Sequence, residues 1–191
     1  MDTLKGQFLV ATPDIGDERF AEAVIYLIAH GDDGAMGLVV NQPMDDMHLS
    51  DVLAEIDLEE GDDTIRMPER LMHQSVFKGG PVDSSRGFVL HTSHYFRDGN
   101  SFAVDGDVCL TATLDVLRAM VSGKGPNASL LALGYCEWGA GQLEDELRTN
   151  GWLTAASSNE LLFALPASKK YEAALAALGV SGIGNAPALI A

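Results

Sequence analysis

Basic residues are scarce in this chain. Only 12 Lys and Arg stand against 28 Asp and Glu, a formal charge of −16. A protein that grips a phosphate backbone needs clustered cations, so direct nucleic-acid binding is not expected. An anionic membrane surface repels such a chain for the same reason. Cysteine is scarcer still, with two residues, Cys109 and Cys136, each inside an apolar run. The opening residues, MDTLKGQFLVATP, lack the charged-then-apolar pattern of a secretory leader. Together these features predict a reducing, cytoplasmic setting in which both thiols stay reduced, buried and unpaired with each other. No apolar run reaches the roughly 18 residues a helical span requires, so no membrane segment is expected.

The usual signatures of catalysis are missing too. Of the histidines His30, His48, His73, His91 and His94, only the last two lie close in sequence, and no Cys or carboxylate completes a common zinc spacing. No metal site and no cofactor are expected. Ser93 beside His94 has no G-x-S-x-G elbow around it. Cys136 lies in an apolar strand, where burial raises a thiol pKa and makes it inert. No catalytic residue can be assigned.

What is present is enough apolar material for one sizeable core: 47% of 191 residues. The pattern predicts a single domain over residues 1–180, with 181–191 fraying. A strand at 7–11 is stopped by Pro13, and an apolar run at 23–29 turns through HGDDGA into a partner strand at 36–40. Asn41-Gln42-Pro43 ends that strand. A helix is expected from Ser50 to about residue 57, then an acidic irregular loop at 58–70. Strands at 75–77 and 87–91 are joined by KGGPVDSSR, and a second loop follows at 93–100. A short strand at 108–111 precedes a helix capped by Thr113, with Leu114, Leu117 and Met120 or Val121 inward. The segments 152–155 and 161–164 read as a hairpin, and Ser168 as the cap of a last helix ending near Gly179.

The densest chemistry lies at 130–152, LLALGYCEWGAGQLEDELRTNGW. It reads as a buried strand, a glycine turn holding Trp138, and a short helix. Leu143 and Leu147 mark the inward face, Gln142, Glu146 and Asn150 a polar row, and Glu144 with Arg148 an outward i,i+4 pair. Gly139 and Gly141 leave amides approachable. Two readings stand: a tight connection plugged by Trp138, or a pocket in which amides, Trp138, Gln142 and Glu146 meet a ligand. KGGPVDSSRG carries the same duality, as a plain turn or as an anion cradle of Gly79, Gly80, Lys78 and Arg86. His91 ends an apolar strand and completes the ligand-binding candidates. The two glycine turns are expected to share one concavity.

Several stretches in order resemble the YqgE/AlgH family of bacterial proteins: GQFLVATPDIGDERFAEAVIYLIAH, GAMGLVVNQPM, VFKGGPVDSSRGFVLH, LTATLDVLRAM and GYCEWGAGQLEDELRTNGWL. The resemblance runs from Gly6 to about Val180. It implies an α+β domain with a strongly bent, largely antiparallel or mixed, barrel-like sheet and helices packed outside. A transcriptional-regulator label attaches to some members, without a recognisable DNA-binding motif, and the resemblance carries over no catalytic residues. The functional expectation is a non-enzymatic domain that binds an unidentified small molecule or protein partner. The alternatives are an enzyme on a small metabolite, using Glu146, His91 or Arg86, and, third, a direct transcriptional regulator.

Overall fold

One long strand organises the molecule. In the computed structural model, which describes residues 3–56 and 68–179, strand β9 (Ser129–Gly139) belongs to two halves of a curled sheet. Its last residues pair antiparallel with β3 (Gly34–Val39), which continues through β2 (Val24–Gly31) and β1 (Gln7–Ala11) to β10 (Trp152–Ala156). Its first residues lie between β5 (Ser75–Lys78), parallel to it, and β6 (Val82–Thr92), antiparallel to it. Beyond these come β4 (Pro43–His48) on β5, and β8 (Val108–Thr111) then β7 (Ser101–Ala103) on β6.

The bend between the halves falls at Gly134, whose φ of 75° is left-handed. The β6 register slips opposite it, from Val82↔Tyr135 to Gly87↔Leu133. The backbone of the Gly79-Gly80 turn presses into this bend. A Cβ on Gly79 would lie 2.2 Å from the Gly134 carbonyl oxygen, and one on Gly80 2.2 Å from the Tyr135 carbonyl.

Three cores follow from the curl. The inner one draws on both halves, with Phe8, Tyr26, Leu38, Phe77, Phe88, Leu90 and Leu130 packed together. It is closed at one end by Leu161 and Leu162 and by Ala174 and Leu175 of helix α5 (Ala167–Ala177). Outside the first half, Leu143 of helix α4 (Gln142–Arg148) packs with Ile25, Leu27, Trp138 and Trp152. Outside the second, helices α1 (Leu49–Glu55), α2 (Glu69–Met72) and α3 (Leu114–Val121) cover Val76, Val89 and Leu131. This is the expected α+β domain, a bent and mostly antiparallel sheet with helices outside.

Local expectations needed correction. Residues 160–164 form a π-helical turn rather than a strand, and β10 pairs with β1 instead of making a hairpin with them. The strands expected at 75–77 and 87–91 are not partners of each other, because both flank β9. Strand β4 follows directly on Asn41-Gln42, with Pro43 as its first residue, a position where the missing N–H does no harm. Leu114 is 43% exposed, and Val116 takes the inward place expected of it. The loop expected at 58–70 falls partly, and the tail at 181–191 wholly, outside the described residues.

Both cysteines are free and buried. Burial pushes the Cys136 thiol up to about 12 and raises that of Cys109. Among the described residues no helix is long and apolar enough to cross a membrane.

Candidate functional site

The glycine turn after β9 is held by its own side chains. Glu146 Oε2 accepts the indole N–H of Trp138 at 2.9 Å and that of Trp152 at 2.7 Å. Gln142 donates to Glu146 Oε1 at 3.1 Å and accepts from the Gly139 amide at 3.1 Å. Gly141 takes a left-handed φ of 75° where the chain enters α4. The expected Glu144–Arg148 pair does not form. Glu144 instead accepts from His30 Nε2 at 2.9 Å, while Arg148 pairs with Asp145. His30 is fixed as the Nε2–H tautomer, because its Nδ1 accepts the Leu4 amide at 3.1 Å.

Of the two glycine turns, Pro81 of the first and the residues flanking the second, Trp138 and Gln142, line one hollow of about 270 Å³ that also touches Glu146, Asp17, Arg19 and Cys136. An adjoining hollow of about 240 Å³ shares Arg19, Phe20 and Pro81 and reaches Lys78 and Gly80. Two of their glycine amides are not free for an anion, however. The Gly79 N–H donates to the Leu133 carbonyl at 2.8 Å, and the Gly139 N–H is taken by Gln142. Arg19 is paired with Asp17 at 2.6 Å, which holds that carboxyl below its ordinary range.

His91 lies elsewhere and is fully buried. Its Nδ1–H donates to the Thr92 carbonyl at 3.1 Å, so Nε2 accepts the Thr111 hydroxyl at 2.8 Å. The Thr111 hydroxyl in turn accepts from Ser101 at 2.9 Å. Burial lowers the His91 pKa, which suits a neutral ring inside a hydrogen-bond chain.

Arg86 stands at a different concavity, the open end of the inner core. There a groove of about 410 Å³ crosses the sheet face from Ile28 and Met36 through Tyr135 and Glu137 to Arg86, Phe88, Leu110 and Phe102. The Arg86 guanidinium lies 5.1 Å from the Phe88 ring centroid, and Phe88 meets Tyr135 edge-on at 5.7 Å. Lys5 lies 4.5 Å from the Phe102 centroid at the rim and donates to the Ala103 carbonyl at 3.0 Å. Sequence reasoning found only Arg86 of this set. The period-two spacings Arg86/Phe88 and Tyr135/Glu137 carried the rest, since alternate strand residues share a face. Among the described residues no cluster of three or more His, Cys, Asp or Glu is arranged to hold a metal ion.

A family model described as AlgH-like matches residues 8–182. A UPF0301 protein of Methylobacterium sp. (strain 4-46) is 48% identical over 177 residues, spanning 93% of this chain and 84% of its own. One from Mesorhizobium japonicum is 49% identical over 177 residues, spanning 93% and 87%. Among solved structures, the solution structure of the AlgH protein from Pseudomonas aeruginosa superposes with a TM-score of 0.78 at 39% identity over 96% of both chains. The crystal structure of protein DIP2367 from Corynebacterium diphtheriae shares the fold, with a TM-score of 0.67 at 20% identity over 90% and 84%.

Proposed function

The chain belongs to the AlgH-like family, and within that family we propose that it is a non-enzymatic binding domain whose site is the open mouth of the curled sheet. The observation that carries this reading is the groove at Arg86, Phe88, Phe102 and Tyr135, concave, largely apolar and placed where barrel-like sheets hold ligands. The Trp138 turn is the scaffold of the other half. The Glu146 carboxylate is taken up by both indoles and Gln142, and Gln142 also takes the Gly139 amide, which supports a structural role for this turn. The setting is the cytoplasm, in keeping with two free, buried thiols. Regulation by this protein is indirect, through its ligand or a protein partner, because a charge of −16 opposes phosphate contacts.

The experiment is an amide-resolved NMR titration with pooled metabolites. Binding is expected to shift the amides of Arg86, Phe102 and Tyr135 and leave the two indole signals of Trp138 and Trp152 in place. Turnover of any metabolite, binding confined to the indole side, or a nanomolar complex with a defined operator DNA would each overturn the reading.

A further inference from the structure

We infer that the mouth takes a monocarboxylate with an aromatic or branched apolar body. The inference rests on the mouth being the binding site and adds the chemistry of what enters it. Arg86 is exposed, lies over the Phe88 ring, and has no carboxylate within ion-pair distance among the described residues. Arg97, over the Tyr95 ring, also forms no ion pair among the described residues, and what sets Arg86 apart is its place in the wall of an apolar groove. The aromatic face holds the guanidinium, while its N–H fork stays open to an oxyanion, the geometry that Arg offers and Lys does not.

The rest of the groove sets the body of the ligand. Phe102 is 48% exposed beside Tyr135, Met36 and Leu110, so a flat or branched apolar group removes that surface from water. A volume of about 410 Å³ lies at the small end of the range for such sites, roughly 300–1,000 Å³. Glu137 stands on the same wall, across the β3–β9 ladder from Met36. It repels a second anionic group, which selects one carboxylate rather than two. Lys5 over Phe102 adds a cation at the rim and raises the local concentration of an approaching anion.

The test uses the full chain and two probes that differ only in charge, 2-naphthoate and 2-naphthamide, each followed by amide-resolved NMR titration. Naphthoate is expected to shift Arg86, Phe102 and Tyr135. Arg86→Gln is expected to weaken naphthoate about ten-fold, as one charge-assisted pair is lost, and to leave naphthamide unchanged. Phe102→Ala removes an exposed ring, leaves the core intact and is expected to weaken both probes. Glu137→Gln is expected to admit a naphthalene dicarboxylate that the parent rejects. If both probes bind parent and Arg86→Gln alike at the mouth, the carboxylate assignment fails and the binding site stands. If neither probe shifts the mouth, or if mouth shifts arise on concentrating the protein alone, as a second copy would produce, both fail.

Discussion

Trp138 and Trp152 meet on a single atom, Oε2 of Glu146, each donating its indole N–H to it. Two large, nearly buried rings from different strands are thereby tied to one turn of α4. A carboxylate accepts two donors on one oxygen and a third on the other more strongly than a neutral amide does.

Glu146→Gln should therefore cost stability, although the shape is kept. The expected loss is about 1.5–3 kcal/mol, the range for hydrogen bonds to a charged group. Trp138→Ala should cost more, about 3–5 kcal/mol, by opening a cavity under α4. Denaturant unfolding of both variants measures this, and a Glu146→Gln protein as stable as the parent would show that the carboxylate holds nothing.

Acid should weaken the fold first through His91. Burial lowers its folded pKa, so below about 6.5 the unfolded chain binds a proton that the folded one refuses. Stability then falls as pH falls through that window. The Asp17 and Glu144 carboxyls are also lowered, by Arg19 and by the Glu144 backbone amide with His30 respectively. Their contribution is present above their ordinary values of 3.8 and 4.5 and is lost only at lower pH. His91→Phe should flatten the limb that begins as pH falls below about 6.5 and leave the one set by the carboxyls. An unchanged upper limb in the variant would exclude His91 as its source.

Lys170 gives the opposite end of the pH axis a signature. It is 2% exposed, donates to the Val40 carbonyl at 3.0 Å and the Leu162 carbonyl at 2.7 Å, and burial lowers its pKa to about 8. Between about pH 8 and 10.5 the unfolded chain keeps a proton that the folded one has released, so this group adds stability as pH rises, by up to about 1.4 kcal/mol per unit. Tyr26, Tyr171 and the two thiols have raised values and act the other way at high pH. The difference between parent and Lys170→Met isolates the lysine and should grow across this window in the parent's favour. A difference independent of pH would mean the ammonium is not desolvated.

Gly134→Ala and Gly80→Ala should both fail to give a native sheet. The first puts a Cβ 2.6 Å from the Gly80 carbonyl oxygen at a left-handed φ, the second one 2.2 Å from the backbone of Tyr135. The left-handed conformation alone costs about 1–2 kcal/mol. Soluble, cooperatively unfolding variants would show that the bend tolerates a side chain there.

The apolar runs of β1, β2 and β9 and the Leu143/Leu147 stripe were legible because a strand buried on both faces, or a helix on one, writes its environment into a local pattern. Strand β4 was not, since PMDDMH is polar and opens on proline, and only its pairing to β5 makes it a strand. The sequence at 161–164 reads as a strand although it lies in the π-helical turn Glu160–Ala164, because a short apolar run looks alike in either form. At the site, the indole and carboxylate residues were visible in one segment. The groove was not, because its walls come from β2, β3, β6, β7, β8 and β9, which only the curl brings onto one face.

The pairing of β1 with β10 joins residues 7–11 to residues 152–156, which leave the ribosome much later. Phe8, Leu9, Val10 and Ala11 are fully buried in the finished protein, yet their outer edge has no partner until Trp152–Ala156 has been made. At common synthesis rates that interval is on the order of ten seconds. For that time the nascent chain carries an apolar strand with a bare edge, the kind of surface that recruits other strands. Crowding of neighbouring ribosomes on one message is therefore the moment when this fold is most exposed to misassembly.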